Sequence, residues 1–139
     1  MGLFSDADEL YAHLGRLFAE AAADEELGAR LAEANTILQL RLRDPDAVVT
    51  VKVLAAEERK VDLGDTTLRP EVVLAMDADV AHGLWLGTVN ITVALARGHI
   101  VAQGPVAKVL KVVPLMRLLA PRYRALLEGA GREDLVAAA

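Results

Sequence analysis

The chain contains no cysteine, which excludes disulfides and thiolate metal sites. Aromatic residues make up only 4% of its 139 residues, so its interior must be mostly aliphatic. No apolar run reaches the ~18 residues of a membrane span. Asp6, Asp8 and Glu9 stand where a signal peptide would need positive charge and an apolar stretch. Met1-Gly2 opens a myristoylation pattern, but Asp6 occupies the position where Ser or Thr is required. A cytoplasmic location is expected.

Acidic residues are missing from one long stretch, Val80 to Leu127. Residues 1–87 hold 17 acids against 8 bases, whereas residues 88–139 hold 3 against 7. The net charge of -5 argues against a nucleic-acid partner. The basic, apolar C-terminal third fits weak contact with an anionic membrane, although a strand and two helices with ordinary solvated charges is the favoured reading.

Sets of reactive side chains are also lacking. His13, His82 and His99 form neither HxxxH nor HExxH, so no metal site is expected. There is no GxSxG elbow. Gly98 and Gly104 lack phosphate-loop spacing. Asp77 and Asp79 read as a helix start rather than as catalytic carboxylates. The chain is expected to be no enzyme and to need no cofactor.

What is present is apolar material, 54% of the chain. The length fits one domain spanning 1–139, with order expected over about 5–128. Leu10, Leu14, Leu17 and Ala21 recur at helical spacing over Asp6–Ala23, with Ser5 as N-cap and Asp8 as its capping-box partner. Asp24 caps a second helix that ends before Asn35. Thr36–Arg43 and Ala47–Leu54 alternate with period two around Asp44-Pro45-Asp46, a hairpin. Lys60–Leu63 reads as a short edge strand, and Glu71–Met76 as the next strand.

Asp77 then caps a helix running to about Leu86, with Gly87 closing it. Thr88–Ala96 alternates like a strand, while its place in the chain favours a short helix. His99–Gln103 is the last strand. Pro105 opens a helix that Pro114 should break, and Pro121 should start another through Leu127. Gly129-Ala130-Gly131 is expected to end the ordered region, with a frayed tail beyond.

Four features occur in order: the strand Val72–Met76, the Asp77-x-Asp79 helix start, Leu84-Trp85-x-Gly87, and Gly98-His99-Ile100-Val101-x-x-Gly104 before an apolar helix. In this the chain resembles the sterol carrier protein type-two family over roughly Tyr11 to Leu127. His99 departs from the family's usual Lys, and Pro105 from its usual Asp.

The resemblance implies an α+β fold, a five-stranded mixed β-sheet with helices packed on one face enclosing an apolar tunnel. It implies non-catalytic binding or transfer of a fatty acid, acyl-CoA, sterol-like molecule or other lipid. It also implies a lining of Leu74, Met76, Leu84, Trp85, Val93, Ile100 and Ala102. The lid side would be Val106, Val109, Leu110, Val113, Met116 and Leu119. Trp85 and Met116 stand out among these, because Trp is rarely fully buried and Met adapts to irregular surfaces. Two other readings stand beside the carrier. One is an accessory subunit that docks on an enzyme and shelters an apolar intermediate such as a quinone precursor. The other is a structural domain with a filled core. Fold membership alone does not choose the ligand.

Overall fold

The computed structural model describes residues 2–138. Met1 of the Met1-Gly2 pair and Ala139 of the terminal alanines lie outside the described residues. The period-two segments form strands β1 (Thr36–Arg43), β2 (Ala47–Val53), β3 (Lys60–Leu63), β4 (Val72–Asp77) and β5 (Ile100–Gln103). They make one sheet in the order β3-β2-β1-β4-β5. The β1–β4 pair is parallel and the other three pairs are antiparallel, so the sheet is mixed, as expected.

Register decides which face is buried, because successive side chains point to opposite sides. Leu40 lies between Val49 and Leu74, and Leu42 between Ala47 and Met76. Leu74 in turn faces Ala102, and Met76 faces Ile100. All but the half-buried Ala102 are buried. Arg41 and Arg43 point to the other face and are exposed.

The N-terminal amphipathic segment is helical throughout: α1 (Ala7–Leu10), a π turn (Tyr11–Gly15) and α2 (Arg16–Ala23). Its cap lies one residue later than expected. Asp6 Oδ1 accepts from Glu9 N at 2.8 Å, and Glu9 reaches back to accept from Ser5 N at 2.7 Å. Glu9, with one methylene more than Asp8, closes this reciprocal box. Asp24 caps α3 (Glu25–Leu31), accepting from Leu27 N at 2.9 Å.

Helix α4 (Ala78–Leu86) follows β4 directly and ends at Gly87, whose φ of 90° is a conformation glycine adopts freely. Asp77 makes no capping bond. Its carboxylate pairs at 3.0 Å with Arg43, its neighbour in the parallel ladder. Asp79 instead accepts from Leu3 N at 2.9 Å, holding the N-terminal segment against α4.

The ambiguous stretch resolves as helix α5 (Ile91–Ala96), capped by Asn90, which accepts from Val93 N at 3.1 Å. Ile91 and Ala94 are its buried residues, a spacing of three that an alternating strand would not produce. Gly104, between β5 and the next helix, has φ 127° and lies so close to β4 that an added Cβ would sit 2.4 Å from the Glu71 carbonyl.

Two expectations for the C-terminal part are corrected. Helix α6 (Val106–Gly129) runs 24 residues through both Pro114 and Pro121. Each proline removes one N–H, leaving the carbonyls of Leu110 and Arg117 without a helical donor. Both prolines are exposed, so water can satisfy those carbonyls, and the buried Val112, Leu115, Met116, Leu119, Tyr123 and Leu127 hold the helix together. Among the described residues, the chain after Gly131 is also helical where a frayed tail was expected. It forms α7 (Glu133–Ala137), with Leu135 buried.

Candidate functional site

The site is built where α4, the turn after it and α6 meet. Gly87 ends α4 where α6 passes close by, with Ala120 Cβ 3.3 Å from where a Gly87 side chain would begin. Thr88 N and Val89 N both donate to the Gly83 carbonyl, at 2.8 and 3.1 Å, folding residues 88–90 back against the helix end. Asn90 then starts α5. The result is a cavity of about 720 Å³, open to solvent on one side. That volume lies within the range of small-molecule sites.

One wall comes from Leu84, Leu86 and the turn through Thr92. The other is one face of α6: Val113, Met116, Arg117, Ala120, Pro121, Arg124, Ala125 and Glu128. The wall at Leu84, Leu86, Ile91, Val113 and Met116 is apolar. The C-terminal part of the groove carries the charges. A second hollow of about 550 Å³ lies beside it, lined by Arg30, Val113, Pro114, Arg117 and Leu118. Val113 and Arg117 therefore form a ridge shared by both.

Behind the groove a polar cluster locks three helices together. His82 on α4 is fully buried. One ring nitrogen lies 2.7 Å from the Leu135 carbonyl of α7 and the other 2.8 Å from the Tyr123 hydroxyl of α6. A carbonyl only accepts, so Nε2 carries the proton and donates to Leu135, and Nδ1 accepts from Tyr123. Burial lowers the His82 pKa from its ordinary value, against the opposing pull of the Leu135 carbonyl and Asp79. Burial likewise raises the Tyr123 pKa. Both groups are neutral, a structural clasp. Among the described residues, no three His, Asp or Glu side chains gather where they could hold a metal ion.

The residues expected to line a ligand site fall into three groups. Leu84, Val113 and Met116 line the groove. Leu74, Met76, Trp85, Ile100 and Leu119 belong to the buried core. Trp85 is fully buried, edge-on to Phe18 with ring centroids 4.8 Å apart, and its indole N–H has no partner. Ala102 and Val109 are half-buried and pack against that core. Val93, Val106 and Leu110 are exposed, by 45%, 74% and 62%.

The turn from Gly87 to Thr92 and the α6 residues Arg117, Ala120, Pro121 and Arg124 were not anticipated. Their signal was present in the sequence. Val113, Arg117, Ala120, Arg124 and Glu128 recur at steps of three and four, which places them on one helix face. The expected break at Pro114 hid that continuity.

The chain matches the SCP-2 sterol transfer family over residues 14–117. No curated protein matches its sequence. Solved structures do resemble it. The sterol carrier protein domain 2 of Helicoverpa armigera superposes with a TM-score of 0.66 at 18% identity, covering 87% of this chain and 94% of that one. Palmitated SCP2L2 from Aedes aegypti gives 0.57 at 19% identity, over 76% and 92%. The UbiJ-SCP2 ubiquinone synthesis protein gives 0.54 at 18%, over 76% and 90%. At such identities the likeness carries the fold. Among the described residues, no helix is long and apolar enough to cross a membrane.

Proposed function

The chain belongs to the SCP-2 sterol transfer family, and on that basis we propose that it is a non-catalytic carrier that binds and releases a lipid or similar apolar molecule. The observation that carries this reading is the groove of about 720 Å³ between the α4–α5 turn and α6, with its apolar wall of Leu84, Leu86, Ile91, Val113 and Met116. The hydrocarbon part of the ligand lies along these residues. The deeper residues Leu74, Met76, Trp85, Ile100, Ala102 and Leu119 become accessible only when the N-terminal half of α6 moves away from the sheet. The exposed Val106 and Leu110, with Val109 beside them, are the part of α6 that shifts, and Val93 on α5 borders the path. The palmitate carried by the Aedes aegypti relative supports a long acyl chain as ligand.

Each methylene taken out of water contributes about 0.8 kcal/mol, so about twelve contribute on the order of 10 kcal/mol. Lost translational and chain freedom offsets several kcal/mol. A net of about 6–8 kcal/mol corresponds to a roughly micromolar Kd, suited to a molecule that must also release its cargo. Native mass spectrometry of the purified protein should show a sub-stoichiometric lipid adduct, and added palmitic acid should bring it to one per chain. Protein that stays adduct-free under palmitic acid would contradict the carrier reading.

The exposed Val106 and Leu110, together with Arg97 and Lys111, which make no ion pair among the described residues, support weak contact of this end with anionic membrane. Vesicle binding should rise with anionic lipid content and fall with salt. The likeness to the UbiJ-SCP2 ubiquinone synthesis protein favours a second reading, an accessory subunit that shelters an apolar quinone precursor beside a partner enzyme. Recovery of one stoichiometric enzyme with the tagged chain would support it. A chain recovered alone would count against it.

A further inference from the structure

The groove is apolar at one end and cationic at the other, and its cations form no ion pair among the described residues. Seven bases lie in residues 88–139. Three of them are engaged: Lys108 with Glu71 and the Asn35 carbonyl, Arg122 with Asp24, and Arg132 with Glu9 and Asp134. Arg117 and Arg124 form no ion pair among the described residues, yet both line the groove. They stand seven residues apart on one continuous helix, two turns and about 10 Å along its axis, on the same face. Their long side chains can converge on a single group held between them. Among the described residues, Glu128 is the one acid in the lining; it sits one turn beyond Arg124 and is not paired with it.

Guanidinium is the side chain best matched to carboxylate and phosphate oxygens, because its N–H donors form a planar fork. On the apolar side, Val113 and Met116 precede Arg117 by four residues and one residue, so a hydrocarbon chain lying on them directs its head toward the guanidinium groups. Pro121 between the two arginines leaves the Arg117 carbonyl without a helical donor, but that carbonyl repels an anion and is no part of the recognition.

Resting on the carrier reading above, we infer that Arg117 and Arg124 are the specificity-determining residues of this groove. They select a long-chain amphiphile with a compact anionic head, a carboxylate or a phosphate monoester, over neutral lipids of the same chain length. The site differs from an interior tunnel, where such a head would lose its hydration without a cation to face.

The test compares palmitic acid, hexadecyl phosphate and hexadecanol by calorimetric titration at neutral pH and low salt. The wild-type chain should bind one or both anions about tenfold more tightly than hexadecanol, a difference of about 1.4 kcal/mol, and added salt should shrink the margin. Which anion binds more tightly separates a fatty-acid source from a phosphorylated one. In the double variant Arg117→Gln/Arg124→Gln the margin between the anions and hexadecanol should vanish. The pair Arg117→Lys/Arg124→Lys, which keeps the charge, should retain most of the margin. Both arginines are exposed, and circular dichroism verifies that the variants fold. Equal binding of all three probes by wild type, or a margin that survives the Gln variant, would overturn the inference and leave the carrier reading intact. If no probe binds, both fall together.

Discussion

Helix α6 contains two regions that follow different rules. In its N-terminal half, residues 106–113, Val106 and Leu110 are 74% and 62% exposed, and Val112 is the one buried residue. In the remainder, Leu115, Met116, Leu119, Tyr123 and Leu127 are all buried. Both regions are also bonded, but differently: Lys108 in the first reaches Glu71 and the Asn35 carbonyl at the surface, whereas the second is tied inside the fold, through Tyr123 to buried His82 and through His82 to Leu135 of α7. One helix thus has a fixed end and a lightly held end. Local opening is cheapest where few apolar contacts are made. Pro114 falls at the junction of the two regions, where a missing backbone bond weakens the connection.

The largest expected effect sharpens this contrast. Leu119→Ala removes a fully buried side chain and should destabilise the fold by about 2–5 kcal/mol. Leu110→Ala should leave stability within about 0.5 kcal/mol of wild type. Denaturant unfolding of both variants checks this, and similar costs for the two would erase the distinction.

Tyr123→Phe keeps the ring and removes the hydroxyl, leaving buried His82 Nδ1 without a donor. A cost of about 1–3 kcal/mol follows. The same change should loosen α7 without altering the free half of α6, as limited proteolysis near residue 131 can report. An unchanged unfolding midpoint would mean that the clasp contributes nothing.

A smaller effect concerns pH. His82 is held below its ordinary pKa of 6.5, mainly by burial, so in that interval the unfolded chain binds more protons than the folded one. Stability is therefore fully present above about pH 6.5 and declines as pH falls toward the folded value. His13, lowered by burial and by Arg132, adds in the same direction. Around His82 the groups to consider are Asp79 on its own helix, Tyr123 on α6 and the Leu135 carbonyl on α7. The slope between pH 7 and 5 should be reduced in His82→Gln. A slope unchanged by that substitution would point to His13 or to carboxylates instead.

The strands were legible because period-two alternation at Leu38, Leu40 and Leu42 and at Val72, Leu74 and Met76 admits one register with the leucines inside. Gly87 was legible as a helix terminator for the same local reason. The C-terminal half was less so. A proline rule derived from isolated helices failed at Pro114 and Pro121, because exposure of both residues and packing of the opposite face outweigh two lost backbone bonds. The tail after Gly131 looked dispensable because its long-range ties depend on partners far off in sequence: Leu135 and its carbonyl on buried His82, 53 residues away, and Arg132 on Glu9, 123 residues away. Of the candidate site, Leu84, Val113 and Met116 were legible from apolar spacing. Arg117 and Arg124 were not, since charged residues on an amphipathic helix ordinarily face solvent.

The most direct test of the account is amide hydrogen exchange across α6, with and without palmitic acid. Residues 108–113 should exchange much faster than residues 119–127 in the free protein, and should slow on adding palmitic acid while the second set stays as it was. Equal protection in both halves, unaltered by palmitic acid, would contradict a site whose moving part is the lightly held end of this helix.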